Sequence, residues 1–264
     1  MTLPEFPTKK EFQDWLYENK SLVLTTKKNT VKHGDVSFTP INVVEEYTSK
    51  AEVVQDNGIL KAELVINSCG IIDSHMDLHV DGLWKKSVSE NKNFFLLQEH
   101  HMEFDKIIAD SVKNNLKAVI KTFTWKELGV KADGSTTCLV FESDIPDDRN
   151  PYMHSQYAKG YVMNHSVGMR YVNMFFCVNS EEKYWAEEKK NWDKYISKSI
   201  NPEQADRFGY FNAVTEAKFI EGSAVVIGSN RATPTINIES AKSATQITEP
   251  SKDTQKQFNK LFLS

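Results

Sequence analysis

Four apolar residues, Phe94-Phe95-Leu96-Leu97, run straight into Gln98-Glu99-His100-His101. This abrupt edge constrains the chain more than any other stretch. An apolar run of that length needs burial as a strand, so its last residues stand where the strand leaves the core. A histidine fixed at such an edge can take up and return a proton near neutral pH. The plainer alternative is a structural histidine satisfied by backbone. Anything the imidazole acts on must come from a distant part of the chain, and Ser166, within Gly160-Tyr-Val-Met-Asn-His-Ser-Val-Gly-Met-Arg170, is the candidate.

Composition narrows the partners. The chain has 264 residues, 40% hydrophobic and 26% charged, with a formal charge of −4. That balance gives no reason to expect a nucleic acid or an anionic membrane as partner. No apolar run approaches membrane-spanning length, and the first ten residues lack the apolar core of a signal peptide. Cys69, Cys138 and Cys177 lie far apart. They fit neither a metal spacing nor a disulfide framework, and read as buried thiols of a cytosolic protein.

In chain order, Thr8 caps a short helix to Asn19 with Phe12, Trp15 and Leu16 on one face. Val23-Leu24 and Val36–Phe38 suggest short strands. Ile59–Ile66 is a long strand, Glu103–Asn115 is helical or irregular, and Leu116–Trp125 and Thr137–Phe141 are strands. Tyr152–Met163 reads as a helix, and Ser166 opens the strand Val167–Cys177. A charged helix follows from Ser180 to about Ser197, an inserted hairpin or lid, with aromatic packing as the plainer role for its Tyr and Trp residues. Phe211–Ile227 returns to strand around a hinge at Glu221-Gly222-Ser223. Thr233–Asp253 has little to bury and reads as a tether. It ends in a small amphipathic helix, 255–263, suited to docking on a partner. These elements give an α+β protein, a mostly antiparallel β-barrel or strongly curved sheet with flanking helices. Residues 1–50 form an N-terminal extension, 51–232 the main domain with an insertion at about 180–200, and 233–264 a flexible tail.

Two constellations carry chemistry. Asp73, His75, Asp77, His79 and Asp81 alternate, so on one strand they share a face and could hold a divalent metal. A solvated strand and turn closing at Asp81-Gly82 is the bland counterpart. The other set is His100, Ser166 and Glu221, at strand ends or breaks. A serine hydroxyl needs a base to take its proton, and a neutral imidazole does so best when its other nitrogen is held by an acceptor.

Four segments in order resemble the prohead (capsid maturation) serine proteases of tailed bacteriophages, which share a fold with the herpesvirus assemblins. Asp73-Ser-His-Met-Asp77-Leu-His-Val-Asp81-Gly82-Leu-Trp84 is similar to the family's D-R-x-G-D-x-V-x-x-G-A-F turn. Leu96-Leu-Gln-Glu-His100-His101 is similar to its L-L-x-Q-H-D, and Asn164-His-Ser166-Val-Gly-Met169 to its L-S-I-G-F. Glu221-Gly-Ser-Ala-Val-Val-Ile-Gly-Ser-Asn230 is similar to its E-V-S-L-V-T-x-P-A-N. The matches span Asp73 to Asn230, about three-fifths of the chain. The Arg and first Gly of the opening turn are absent, His101 replaces the usual acid, and Gly228 stands where Pro is usual.

The resemblance implies a serine endopeptidase with no cofactor and no metal: His100 the general base, Ser166 the nucleophile, Glu221 the orienting third member. Glu216 and His165 compete for that third role, and Arg231 is a candidate for stabilising the oxyanion. The implied substrates are the scaffold protein and the major capsid protein, with self-cleavage and a possible homodimer. The implied setting is the interior of the phage prohead after synthesis in the host cytoplasm. The rival readings are an inactive internal scaffold or assembly protein on a protease-like fold, and a divalent-metal hydrolase built on His75, His79 and the aspartates of the same segment.

Overall fold

Two long antiparallel strands form the spine of the computed structural model, which describes Phe6, residues 8–31 and residues 58–240. They are β7 (Asn164–Val178) and β8 (Tyr210–Val225), paired from Asn164↔Val225 to Val178↔Tyr210. Against the other edge of β8 lie two short strands in parallel register, β2 (Asp77–His79) and β3 (Phe95–Gln98), with β4 (Ile107–Asp110) antiparallel beyond β3. A second sheet has the order β5 (Lys117–Thr124), β6 (Ser135–Pro146), β1 (Ile59–Ser68), β9 (Thr235–Ser240), all antiparallel. The protein is α+β. Its two sheets are open rather than closed into a barrel.

The sheets pack through one apolar layer. Leu60, Leu64, Ile66, Leu139 and Phe141 of the second sheet meet Leu96, Ile108, Val167, Val214 and Phe219 of the first. Each such residue taken out of water contributes roughly 1.5–3 kcal/mol. A Cβ on Gly222 would stand 2.6 Å from Phe141 and 3.1 Å from Ile66, so position 222 faces this layer. Its neighbours Glu221 and Ser223 therefore project from the opposite side of the strand.

A second core joins the far ends of β7 and β8 to three helices, α1 (Lys9–Asn29), α4 (Ala186–Tyr195) and α5 (Pro202–Phe208). Leu16, Phe176, Trp185, Trp192, Tyr195 and Phe211 are buried there. The aromatic stripe of the charged segment is thus packing rather than a lid. Two further α-helices, α2 (Lys85–Glu90) and α3 (Pro151–Ala158), lie among the described residues.

Several expectations are corrected. Thr8 caps α1 through a bond from the Glu11 N–H, but the helix runs ten residues past Asn19 and absorbs Val23-Leu24. Tertiary packing decides here, since Leu24 rests against the core. Ile107–Asp110 is a strand because pairing with β3 satisfies its backbone and buries Ile108. Glu221-Gly222-Ser223 is no hinge, since β8 passes through it with partners on both edges. Thr235–Ser240, read by composition as tether, pairs along β1 as β9 and buries Ile238. The proposed strand at 36–38 and the terminal helix at 255–263 lie outside the described residues. All three cysteines are buried and free, and burial pushes the thiols of Cys69 and Cys177 up to about 12.

Candidate active site

Strand β3 ends at Gln98, and the chain then adopts left-handed backbone at two successive non-glycine residues, Glu99 (φ 51°) and His100 (φ 63°). Such conformations are costly for L-residues and persist only where surrounding contacts impose them. The contacts here are specific. Glu99 N–H donates to the Ala224 carbonyl at 2.9 Å, and His101 N–H to the Gln98 carbonyl at 3.0 Å. His100 N–H donates to Ser223 Oγ at 3.1 Å. The turn lays the His100 ring on β8, with Nδ1 at 2.6 Å from Glu221 Oε1. The Glu221 side chain is fully buried and that of His100 is 9% exposed.

The second carboxylate oxygen is held as well. Ser223 Oγ donates to Glu221 Oε2 at 2.6 Å. Ser223 thus bridges the carboxylate to the backbone of the His100 turn. The sequence reading missed this residue. The available signal was its i+2 spacing from Glu221, which puts both on one face of a strand.

Ser166 is the register partner of Ser223, as Gly168 is of Glu221, with no bulge between these pairs. Directly opposed residues of an antiparallel pair project to the same face, their Cα atoms about 4.5–5.5 Å apart. Ser166 therefore stands on the face that carries Glu221, Ser223 and the His100 ring, one strand over. Gly168 has to lack a side chain, because a Cβ there would collide with Glu221 Oε1. The loop after β8 closes over the start of β7: a Cβ on Gly228 would lie 3.8 Å from Ser166 Cβ and 3.0 Å from the His165 carbonyl. That loop is pinned to β1 by Asn230, which accepts from Ser68 Oγ at 3.1 Å and donates to the Ser68 carbonyl at 2.7 Å. Arg231, the oxyanion candidate, belongs to the same loop and is half-buried.

The competing third members are placed elsewhere. His165 is fully buried on the opposite face from Ser166, its Nδ1 3.1 Å from the Thr233 carbonyl and its Nε2 3.0 Å from the Tyr157 hydroxyl. The carbonyl only accepts, so Nδ1 carries the proton and Nε2 accepts from Tyr157. Burial pushes this imidazole down to about 4, and the ring ties β7 to α3 and the post-β8 loop. Glu216 sits opposite Asn173, five residues along β8 from Glu221, and pairs with Lys86 at 3.3 Å. His101 is exposed beside Glu103.

The Asp73–Asp81 segment does not form one strand. Only Asp77–His79 is extended, after a turn with Met76 at φ 60°, so the expected single face of alternating donors is broken. Its polar groups have separate partners. Asp77 is buried and receives Lys27 Nζ at 2.5 Å, Tyr171 OH at 2.7 Å and Asn212 Nδ2 at 2.8 Å. Desolvation pushes the Asp77 carboxyl up, but the Lys27 charge and the bonds from Lys27 and Tyr171 outweigh it and hold the group below its ordinary value. Asp81 accepts from Thr137 Oγ1 at 2.7 Å. Among the described residues no three His, Cys, Asp or Glu side chains converge as metal donors.

The arrangement suits acyl transfer: an imidazole held at Nδ1 by a buried carboxylate, with a serine on the adjacent strand facing the same side. Compared with protein-family models, with curated proteins and with solved structures, the chain matches none.

Proposed function

We propose that this chain is a serine endopeptidase of the prohead-protease type, its two sheets a variant of the strongly curved, assemblin-like fold. One observation carries the reading: the 2.6 Å contact between His100 Nδ1 and Glu221 Oε1, formed on the face to which Ser166 projects. Three of the four sequence segments that resemble the phage enzymes supply these same residues, and the otherwise arbitrary glycine of the serine segment, Gly168, is the one that makes room for Glu221.

In the proposed reaction, Ser166 Oγ attacks the peptide carbonyl carbon as the His100 ring takes the hydroxyl proton. Glu221 holds Nδ1–H, fixes the tautomer that leaves the other nitrogen to act as base, and stabilises the imidazolium. The imidazolium gives its proton to the departing amine, the C–N bond breaks, and water then hydrolyses the Ser166 ester by the same proton route. The proposed substrates are scaffold and capsid-protein segments inside the closed phage head, and the enzyme's own chain.

The test is the intact mass of the purified protein, alone and mixed with a candidate scaffold protein, before and after incubation. Wild type is expected to yield discrete fragments, while Ser166→Ala keeps the same fold by circular dichroism and yields none. Equal trimming by Ser166→Ala contradicts the assignment.

A further inference from the structure

The turn that carries His100 runs on into a stretch whose apolar side chains face water. Between Gln98 and Ile107, Met102 is 60% exposed and Phe104 is 95% exposed. Asn150, the N-cap of α3, holds this stretch by donating from Nδ2 to the Asp105 carbonyl at 3.1 Å. Tyr152, in the first turn of that helix, is 63% exposed. Three large apolar side chains thus stand in solvent on two segments tied to each other. Single apolar residues are ordinary on a surface, whereas a group of them marks a contact.

Acid surrounds the group. Glu99, Glu103, Asp105, Asp147 and Asp148 are exposed on the same two segments. The cations there are already engaged, Lys106 with Asp105 at 3.2 Å and Arg149 with Asp110 at 2.6 Å. An occupant should therefore be apolar and basic.

Two stretches of the chain outside the described residues are long enough to serve. Residues 32–57 lead into Gly58, whose carbonyl accepts from the Asp147 N–H at 2.9 Å, so they start close by. They carry Asp35, Glu45, Glu46, Glu52 and Asp56 against Lys32 and Lys50, and like charges brought together oppose contact. Residues 255–264 have the complementary character: Lys256 and Lys260 with no acid, and Phe258, Leu261 and Phe262 at i, i+3, i+4. Their reach is sufficient. Ser240 pairs with Leu60, and Leu60 with Ile145, a short way before Asn150 in the chain. Those steps put Ser240 within about 35 Å of Asp105, and residues 241–256 can span about 50 Å.

We propose that Met102, Phe104 and Tyr152 form a docking surface for the chain's own segment 255–264. Phe258, Leu261 and Phe262 cover the apolar side chains, and Lys256 and Lys260 meet the surrounding carboxylates. The tether supplies a high effective concentration, so a contact of modest strength is enough to keep the surface occupied. The docked segment stands beside the turn that carries His100. The inference goes beyond the peptidase reading and does not depend on it.

The test is photo-cross-linking in the full chain, carrying Ser166→Ala so that self-cleavage cannot remove the segment. Phe104 is replaced by p-benzoylphenylalanine, a change its exposure tolerates, and after irradiation the products are sized by electrophoresis and mapped by mass spectrometry. The expected product is a monomer cross-linked within residues 255–264. Lys256→Glu with Lys260→Glu, or Phe258→Ser with Leu261→Ser and Phe262→Ser, should lower its yield at least tenfold, as should moving the probe to Val172, an exposed residue on β7. A cross-link to residues 32–57, a cross-linked dimer, or no cross-link overturns the proposal. So does an equal yield from the Val172 position or from either set of substitutions. Because the protein tested is Ser166→Ala, a failure of the peptidase assignment leaves this outcome unchanged.

Discussion

Replacing Gly168 by alanine tests the candidate site without touching any group that reacts. Gly168 has ordinary strand backbone with no positive φ, so the added methyl strains nothing locally. The methyl would nonetheless overlap Glu221 Oε1 and lie 2.9 Å from Cδ and 3.1 Å from Cγ of that side chain. The carboxyl group has to swing away as a unit, surrendering both the His100 and the Ser223 contacts, each 2.6 Å long. Hydrogen bonds to charged groups contribute roughly 1.5–3 kcal/mol apiece, so Gly168→Ala should cost about 3–6 kcal/mol. The proposed peptidase activity should fall about 10²–10⁴-fold, as expected when the base loses its orienting partner. The assay is a double-mutant cycle by urea denaturation with Glu221→Ala. Truncating Glu221 removes the three atoms nearest the methyl, so the two changes should be non-additive by at least about 2 kcal/mol. Additivity within about 0.5 kcal/mol would refute the packing argument.

Two other perturbations probe the supports of the site. Ser223→Ala leaves His100 N–H and Glu221 Oε2 without their shared partner. It should lower stability by about 1–3 kcal/mol and slow cleavage of a reporter peptide more than it weakens peptide binding; unchanged turnover would reduce Ser223 to packing. His165, held at about 4 in the fold, returns to about 6.5 on unfolding. Between those values the unfolded chain binds a proton that the folded protein refuses. Stability is therefore full above about pH 6.5 and falls as pH drops toward 4, by about 3 kcal/mol for this residue. His165→Gln should flatten the denaturation-midpoint slope over that window, and an unchanged slope contradicts the neutral buried ring.

The edge that made His100 conspicuous was legible because a run of Phe and Leu has to be buried, and the polar residues after it mark where burial stops. Glu221 was harder to place. On paper Glu221-Gly222-Ser223 reads as a break. In the fold, Gly222 is small because Phe141 and Ile66 press on it, and the polar residues on either side face the site. The parallel pairing of β2 and β3 with β8 leaves no local trace, since it depends on which distant segments meet. β9 was hidden by its Ser- and Thr-rich surroundings, although Ile236 and Ile238 alternate as a strand requires. In α1, Val23 and Leu24 favoured a strand by propensity, and contact with the core reversed it. The alternation of His and Asp from 73 to 81 suggested a metal face. A left-handed turn at Met76, and a cation from α1 placed on Asp77, send those groups to different partners.

The central claim is that the Ser166 hydroxyl is made nucleophilic by an imidazole that Glu221 holds in place. A fluorophosphonate probe, which forms a covalent bond only with an activated serine, tests it most directly when the labelled peptide is mapped by mass spectrometry. The account predicts one adduct, on Ser166, absent from Ser166→Ala and slowed at least about 10²-fold in His100→Ala and Glu221→Gln. Labelling of another serine, or of Ser166 at the same rate without His100, would contradict it.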